Sequence, residues 1–202
     1  MRIGIFGGTF DPVHYGHLLL AERCRELLSL DEVRLVPAGD PYHKDRDDVT
    51  PAKARAEMLE FATAGNPRFV VDRREIKRSG PSYTIDTLRE LRSERPDDEL
   101  YLLMGADSLA DLPNWREPEE ILELAVVVAV TRPGEEISQP DELAELWGGR
   151  SADRIRVVGL PLIELSSSDL RQRVCSGRSV RYMTPAAVTA YIEAQGLYEP
   201  AE

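Results

Sequence analysis

Residues 125–130 read Ala-Val-Val-Val-Ala-Val, six apolar positions without a polar interruption. A strand with one solvated face alternates between apolar and polar residues. A continuous apolar run rich in valine fits a strand buried on both faces, which then needs cover on both sides. The rest of the chain offers that cover, because strand-like and helix-like segments alternate along it. Strands are predicted at residues 2–6, 32–37, 68–72, 99–105, 124–131 and 154–160. Helices are predicted after residue 16, from 52 to about 64, over 83–94, and over 166–177 and 184–196. Residues 74–82 and 38–49 read as loops. The Thr50-Pro51 and Thr184-Pro185 pairs mark helix starts, and Gly177 and Gly196 mark stops. This order predicts an α/β fold, a parallel sheet covered by helices on both faces, with a small C-terminal helical part. At 202 residues, with no repeat and no clear linker, residues 1–202 read as one domain.

Charge narrows the partners. The formal net charge is -11, which argues against nucleic acid and against an anionic membrane surface. A small anionic substrate remains compatible, provided positive groups cluster locally. No apolar run reaches the length of a membrane span. The start of the chain is broken too early by glycine to read as a signal peptide. Cys24 and Cys175 are isolated and read as reduced thiols, so the expected compartment is cytoplasmic.

The first strand runs into "GIFGGTFDPVHYGH", residues 4–17. In a parallel sheet, ligands bind beyond the carboxyl ends of the strands. Gly7 and Gly8 stand at such an end, where glycine admits close approach or a positive φ. The next helix begins at the same place, and a helix start is an anion site. His14 and His17 share one face there if the helix has begun. A Gly-Gly pair alone reads equally well as a tight turn, and two histidines as surface residues. A metal site is the weaker reading, since His-x-x-His has no companion cysteine. Neither G-x-G-x-x-G nor G-x-x-x-x-G-K-[ST] occurs. Ser166, Ser167 and Ser168 with Arg171 form a second helix start, which reads either as an ordinary cap or as a phosphate grip.

"GGTFDPVHYGH" resembles the signature of the nucleotidyltransferases with a His-x-Gly-His motif, most closely the bacterial nicotinate mononucleotide adenylyltransferases. Similarity continues in "VPAGDPYHK", "SYTIDTL", "MGADSLADLPNWREPEEI", "VTRPG" and "LSSSDLR", over almost the whole chain. The resemblance implies a Rossmann-like sheet in a single nucleotidyltransferase domain. It implies adenylyl transfer from ATP to nicotinate mononucleotide, giving deamido-NAD and pyrophosphate in NAD biosynthesis. Nicotinamide mononucleotide as acceptor, or a non-catalytic nucleotide-binding protein on the same fold, are the alternatives. The substrate phosphate is the nucleophile, so the protein has to align two anions and stabilise developing charge.

By the same resemblance, His14, His17 and Arg171 are the catalytic group, with His17 nearest the α-phosphate. Gly7, Gly8, Lys44, Gly105, Asp107, Arg132, Ser167 and Ser168 are expected at ATP. Thr9, Phe10, Tyr83, Thr84 and Trp115 are expected at the mononucleotide, with Trp115 stacking on the pyridine ring. Alone, Lys44 reads equally as a solvated loop lysine, Asp107 as a cap and Trp115 as a core residue. The family pattern Pro-Pro-His-Lys becomes Pro41-Tyr42-His43-Lys44 here, and Ser168 and Leu170 replace the usual Thr and Ile. Mg²⁺ is implied by the triphosphate, held chiefly by phosphates and water rather than by a protein cage. A homo-oligomer is compatible with the sequence.

Overall fold

The computed structural model describes residues 1–41, 49–131, 152–159 and 164–200. Six strands form one sheet: β1 (Arg2–Gly8), β2 (Glu32–Pro37), β3 (Phe69–Val71), β4 (Glu99–Gly105), β5 (Val126–Thr131) and β6 (Ile155–Gly159). Their order is β3-β2-β1-β4-β5-β6, and β1–β4, β4–β5 and β5–β6 pair in parallel. The described helices are α1 (Tyr15–Leu27), α2 (Ala52–Thr63), α3 (Arg74–Lys77), α4 (Thr84–Glu94), α5 (Ala106–Asp111), α6 (Pro118–Leu124), α7 (Ser167–Cys175) and α8 (Ala186–Gln195). The sheet reverses direction of growth after β3, so β1 and β4 flank a topological switch.

The chain divides into two compact, interleaved units. One comprises Met1–Gly7, Leu20–Arg34 and Tyr83–Leu162. In it β5 is hydrogen-bonded on both edges, Val127 pairing with Leu102 of β4 and with Ile155 of β6. Val127, Val128 and Ala129 are fully buried, as the unbroken apolar run requires. Ile3, Ile5, Leu100, Leu103, Leu88, Leu91 and Ile121 complete this core. The other unit comprises Gly8–Leu19, Leu35–Ser82 and Ile163–Glu202. Its core is built from Met58 and Leu59 of α2, Leu170 of α7, and Val188 and Ile192 of α8.

Several local readings shift. Residues 74–77 form a short helix where a loop is predicted. Asp72 accepts the Arg74 N–H at 3.1 Å and the Arg74 guanidinium at 2.8 Å, which closes the turn. The Thr-Pro helix starts move by one residue: Pro51 and Pro185 are themselves the caps, with extended ψ, and helix begins at Ala52 and Ala186. Gly177 and Gly196 do end their helices at positive φ, 68° and 58°. Gly7 and Gly8 do not have positive φ. The left-handed residue after β1 is Phe10, at φ 50°, a conformation uncommon for a bulky side chain.

Candidate active site

Residues 8–19 leave β1, turn at Phe10 and enter α1. The Phe10 side chain is buried, and its ring lies where a Cβ on Gly8 would come within 3.1 Å. A side chain at position 8 would push the ring a few tenths of an ångström off the strand end. A Cβ on Gly7 would meet nothing within 4 Å. The Phe10 ring meets the His17 ring edge-on, 5.1 Å between centroids.

His14 stands just before α1, and the Leu18 N–H already donates to its carbonyl at 3.3 Å. The two histidines cap the helix reciprocally. The His17 N–H donates to His14 Nδ1 at 3.4 Å, and the His14 N–H donates to His17 Nδ1 at 3.2 Å. That is the arrangement of a capping box, with two imidazoles in place of Ser/Thr and Glu/Gln. The rings stack with centroids 3.7 Å apart and planes 23° apart. Glycine at 16 follows from the same geometry, since a Cβ there would lie 2.9 Å from His14 Nδ1.

The cap sets the chemistry of both rings. A nitrogen that accepts an N–H carries no proton, so each neutral ring carries its proton on Nε2. Each ring is thus a fixed donor through Nε2. Burial pushes the His14 pKa down to about 4, so it donates as a neutral group across the physiological range.

A pH dependence of stability follows. Between 6.5 and about 4 the unfolded chain holds a proton on this residue that the native chain does not. Stability is therefore fully present above the unfolded value and is lost as pH falls toward 4, by about 3 kcal/mol in all. Urea unfolding of the parent and of His14→Asn at pH 7 and pH 4.5 checks this. The parent should lose more stability than the variant over that interval.

The residues that lead into the cap are held from the C-terminal part of the same unit. The Arg171 guanidinium donates through Nη1 to the Asp11 carbonyl at 2.8 Å. Ser167 Oγ donates to the Pro12 carbonyl at 2.9 Å, and Thr184 Oγ1 to the Val13 carbonyl at 2.7 Å. The Tyr15 N–H, one of the free amides at the helix start, donates to the Met183 carbonyl at 3.0 Å. The Asp11 carboxylate is buried and accepts from Tyr198 Oη at 2.6 Å and from the Thr50 N–H at 3.1 Å. Burial and the Asp11 carboxylate together raise the Tyr198 pKa far above its usual value, so the tyrosine stays a donor.

Of the expected site residues, Gly8, Thr9, Phe10, His14, His17, Ser167, Ser168 and Arg171 thus fall in this one unit. At α7 the cap reading applies to Ser166, whose hydroxyl accepts the Asp169 N–H at 3.1 Å. Ser167 turns to Pro12 instead, and Ser168 Oγ lies 3.5 Å from Arg171 Nη2.

The remaining described candidates lie in the other unit. Gly105 ends β4 and is the cap residue of α5, and Asp107 is exposed in the first turn. Tyr83 and Thr84 open α4. Trp115 follows a 3-10 turn over Leu112–Asn114 and is half-buried, its indole Nε1 donating to Asp111 at 3.3 Å. It is not a core residue. The Arg116 guanidinium sits 4.9 Å over the Tyr83 ring, which brings the start of α4 beside the Trp115 turn. Lys44 and Arg132 lie outside the described residues. Among the described residues no group of three or more His, Cys, Asp or Glu side chains is placed to hold a metal ion.

Sequence reading missed Arg55, Asp11, Thr184, Tyr198 and Arg116. Only Arg55 left a usable signal. It falls in line with Met58 and Leu59 at helical spacing, a charge on an otherwise apolar stripe.

Comparison with known proteins supplies independent findings. A cytidylyltransferase-like family model matches residues 5–173. A probable nicotinate-nucleotide adenylyltransferase of Thermomicrobium roseum is 47% identical over 201 residues, covering 100% of this chain and 93% of the relative. One of Roseiflexus sp. is 51% identical, covering 97% of each. Among solved structures, the Plasmodium falciparum nicotinic acid mononucleotide adenylyltransferase complexed with NaAD aligns with a TM-score of 0.76. It is 18% identical and covers 98% of this chain and 97% of that one, a likeness of fold.

Proposed function

The chain belongs to the cytidylyltransferase-like family and, within it, to the nicotinate-nucleotide adenylyltransferases, and from that premise we propose how its residues carry the reaction. The enzyme transfers the adenylyl group of ATP to nicotinate mononucleotide in NAD biosynthesis. An oxygen of the mononucleotide 5′-phosphate forms a bond to the α-phosphorus of ATP. The bond from that phosphorus to the bridging oxygen of the β-phosphate breaks, and pyrophosphate leaves with the electron pair. Residues 1–202 act as one nucleotidyltransferase domain.

The observation that carries this reading is the reciprocal histidine cap. It fixes two neutral Nε2 donors at a helix start whose lead-in is braced by Arg171, through the Asp11 carbonyl. Donors held rigidly before reaction are worth most where charge develops, on the transferring phosphoryl group. His17, half-buried and outermost of the stacked pair, serves the α-phosphate, with His14 behind it. Arg171 contributes the positive charge that the -11 chain lacks overall. Neither histidine acts as a base, because the attacking phosphate is already ionised. Ser167 and Ser168 with Gly7 and Gly8 serve the ATP side, as do Gly105, Asp107, Lys44 and Arg132.

Nucleotidyltransferases of this family generally use a divalent metal. With no described cage of protein ligands, we assign Mg²⁺ to the ATP complex, as part of the substrate. Its charge there neutralises the phosphate oxygens. No described helix is long and apolar enough to cross a membrane, and the compartment we propose is the cytoplasm.

Thr9 and Phe10, with Tyr83, Thr84 and Trp115, serve the mononucleotide. Trp115→Ala should raise the KM for nicotinate mononucleotide several-fold and leave that for ATP little changed, because an aromatic stacking contact is worth about 0.5–1.5 kcal/mol. Its half-buried position predicts only a small change in Tm. Saturation curves for both substrates, beside a thermal melt, check this.

The proposed reaction is tested by pyrophosphate release from ATP with a panel of acceptors. Nicotinate mononucleotide should be used with the highest kcat/KM, above nicotinamide mononucleotide. Turnover only with pantetheine phosphate or glycerol phosphate would overturn the assignment.

A further inference from the structure

Arg55 of α2 is only 1% exposed, and it is the largest fully buried side chain described. Burying a charge is costly unless it is well bonded. No described carboxylate lies within ion-pair distance of this one. Its guanidinium donates instead to three backbone carbonyls: Nε to Thr50 at 2.8 Å, Nη1 to Thr9 at 2.7 Å and Nη2 to Ala38 at 2.6 Å. These carbonyls belong to the turn after β1 (Thr9), the turn after β2 (Ala38) and the residue before the α2 cap (Thr50). The Asp11 carboxylate takes the Thr50 N–H, so Thr50 is held from both ends of the residue. Burial pushes the Arg55 pKa down from its ordinary value, and the Asp11 charge works against that lowering.

We propose that Arg55 is a positioning residue for the acceptor phosphate, acting by fixing the Thr9–Phe10 peptide plane. A peptide is planar, so a carbonyl gripped on one side sets the orientation of the whole Thr9–Phe10 unit. Phe10 is the left-handed residue of this turn, at φ 50°. That strained bend has to be over-determined by its surroundings to persist. The guanidinium supplies this by joining the bend to two other turns through one rigid fork. The inference rests on the proposed placing of the mononucleotide at Thr9 and Phe10.

The test uses Arg55→Lys, which keeps the charge but cannot span three carbonyls. Arg55→Gln is the second variant, because it removes the buried charge and should fold where the lysine variant does not. The expected result is a fall in kcat/KM for nicotinate mononucleotide of roughly 10- to 100-fold, the scale of a displaced contact to a reacting group. The KM for ATP should stay within about twofold on the same reasoning. A merely structural role would lower Tm and depress both substrates alike, and that result overturns the proposal. Hydrogen–deuterium exchange gives a readout free of acceptor identity. Faster exchange at residues 9–11 together with 38–40, without general loosening, supports the fork. Unchanged exchange at 9–11 overturns it. If the parent uses another acceptor, the functional reading fails, and the exchange result still decides the role of Arg55.

Discussion

His17→Ala is expected to lower kcat by roughly 10²–10³-fold, the usual consequence of removing one fixed donor to a developing oxyanion. The loss should fall mainly on kcat, because the contact strengthens as charge builds on the phosphoryl group. The geometry adds a second consequence, in stability. His17 Nδ1 accepts the His14 N–H at 3.2 Å, so the alanine variant also loses half of the reciprocal cap. A lost cap costs about 0.5–2 kcal/mol, which leaves the protein folded. The two effects separate in His17→Gln. Glutamine three residues after a cap can still accept the cap residue's N–H, as in an ordinary capping box. Its stability should therefore approach that of the parent, while turnover stays low, since no imidazole Nε2 is presented. Steady-state kinetics and thermal melts of the three proteins check this. A well-folded His17→Ala with near-parent turnover would remove His17 from the catalytic group.

The parts of this enzyme that were legible in sequence are those encoded by periodicity and by contiguous motifs. Val127, Val128 and Ala129 announce a strand buried on both faces because burial follows from residue type alone. His14 and His17 announce a helix-start pair because their spacing is local. Their cap was less legible, because the usual box uses Ser or Thr with Glu or Gln, and imidazole rarely takes that place. The reason for Gly16 is a contact with His14 Nδ1 that no local rule of glycine usage anticipates. Of the two uses read for glycine at positions 7 and 8, close approach or a positive φ, the second does not hold, for a related reason. The bend lies two residues later, at Phe10, and Gly8 is small because the Phe10 ring folds over it. The bonds that brace the site were not legible at all. Arg55, Ser167, Arg171 and Thr184 donate to carbonyls of Thr9, Pro12, Asp11 and Val13. A backbone carbonyl carries no residue signature, and three of these partners lie more than 150 positions away in sequence. Only the folded backbone brings such an acceptor to its donor.

Arg171→Lys should also be damaging although the charge is kept, but less so than the loss of His17. In the parent one arm of the guanidinium, Nη1, braces the Asp11 carbonyl at 2.8 Å. Lysine offers a single ammonium in place of a planar fork, so it cannot brace that carbonyl and grip a phosphate together. A hydrogen bond to a charged group is worth about 1.5–3 kcal/mol, which predicts a fall in kcat/KM for ATP of roughly 10- to 100-fold. Tm should change little, because Ser167 and Thr184 still hold Pro12 and Val13. The control is Thr184→Val, which removes the brace on Val13, two residues beyond Asp11. Thr184 is 1% exposed, so its loss leaves the Val13 carbonyl buried without that donor and should cost about 1–3 kcal/mol of stability. It should barely alter the KM for ATP. The two variants are therefore predicted to fail in opposite ways, one in catalysis at normal stability and the other in stability at normal catalysis. If both show the same modest loss of Tm and the same unchanged KM for ATP, Arg171 is a brace like Thr184 and contributes no charge to the reaction.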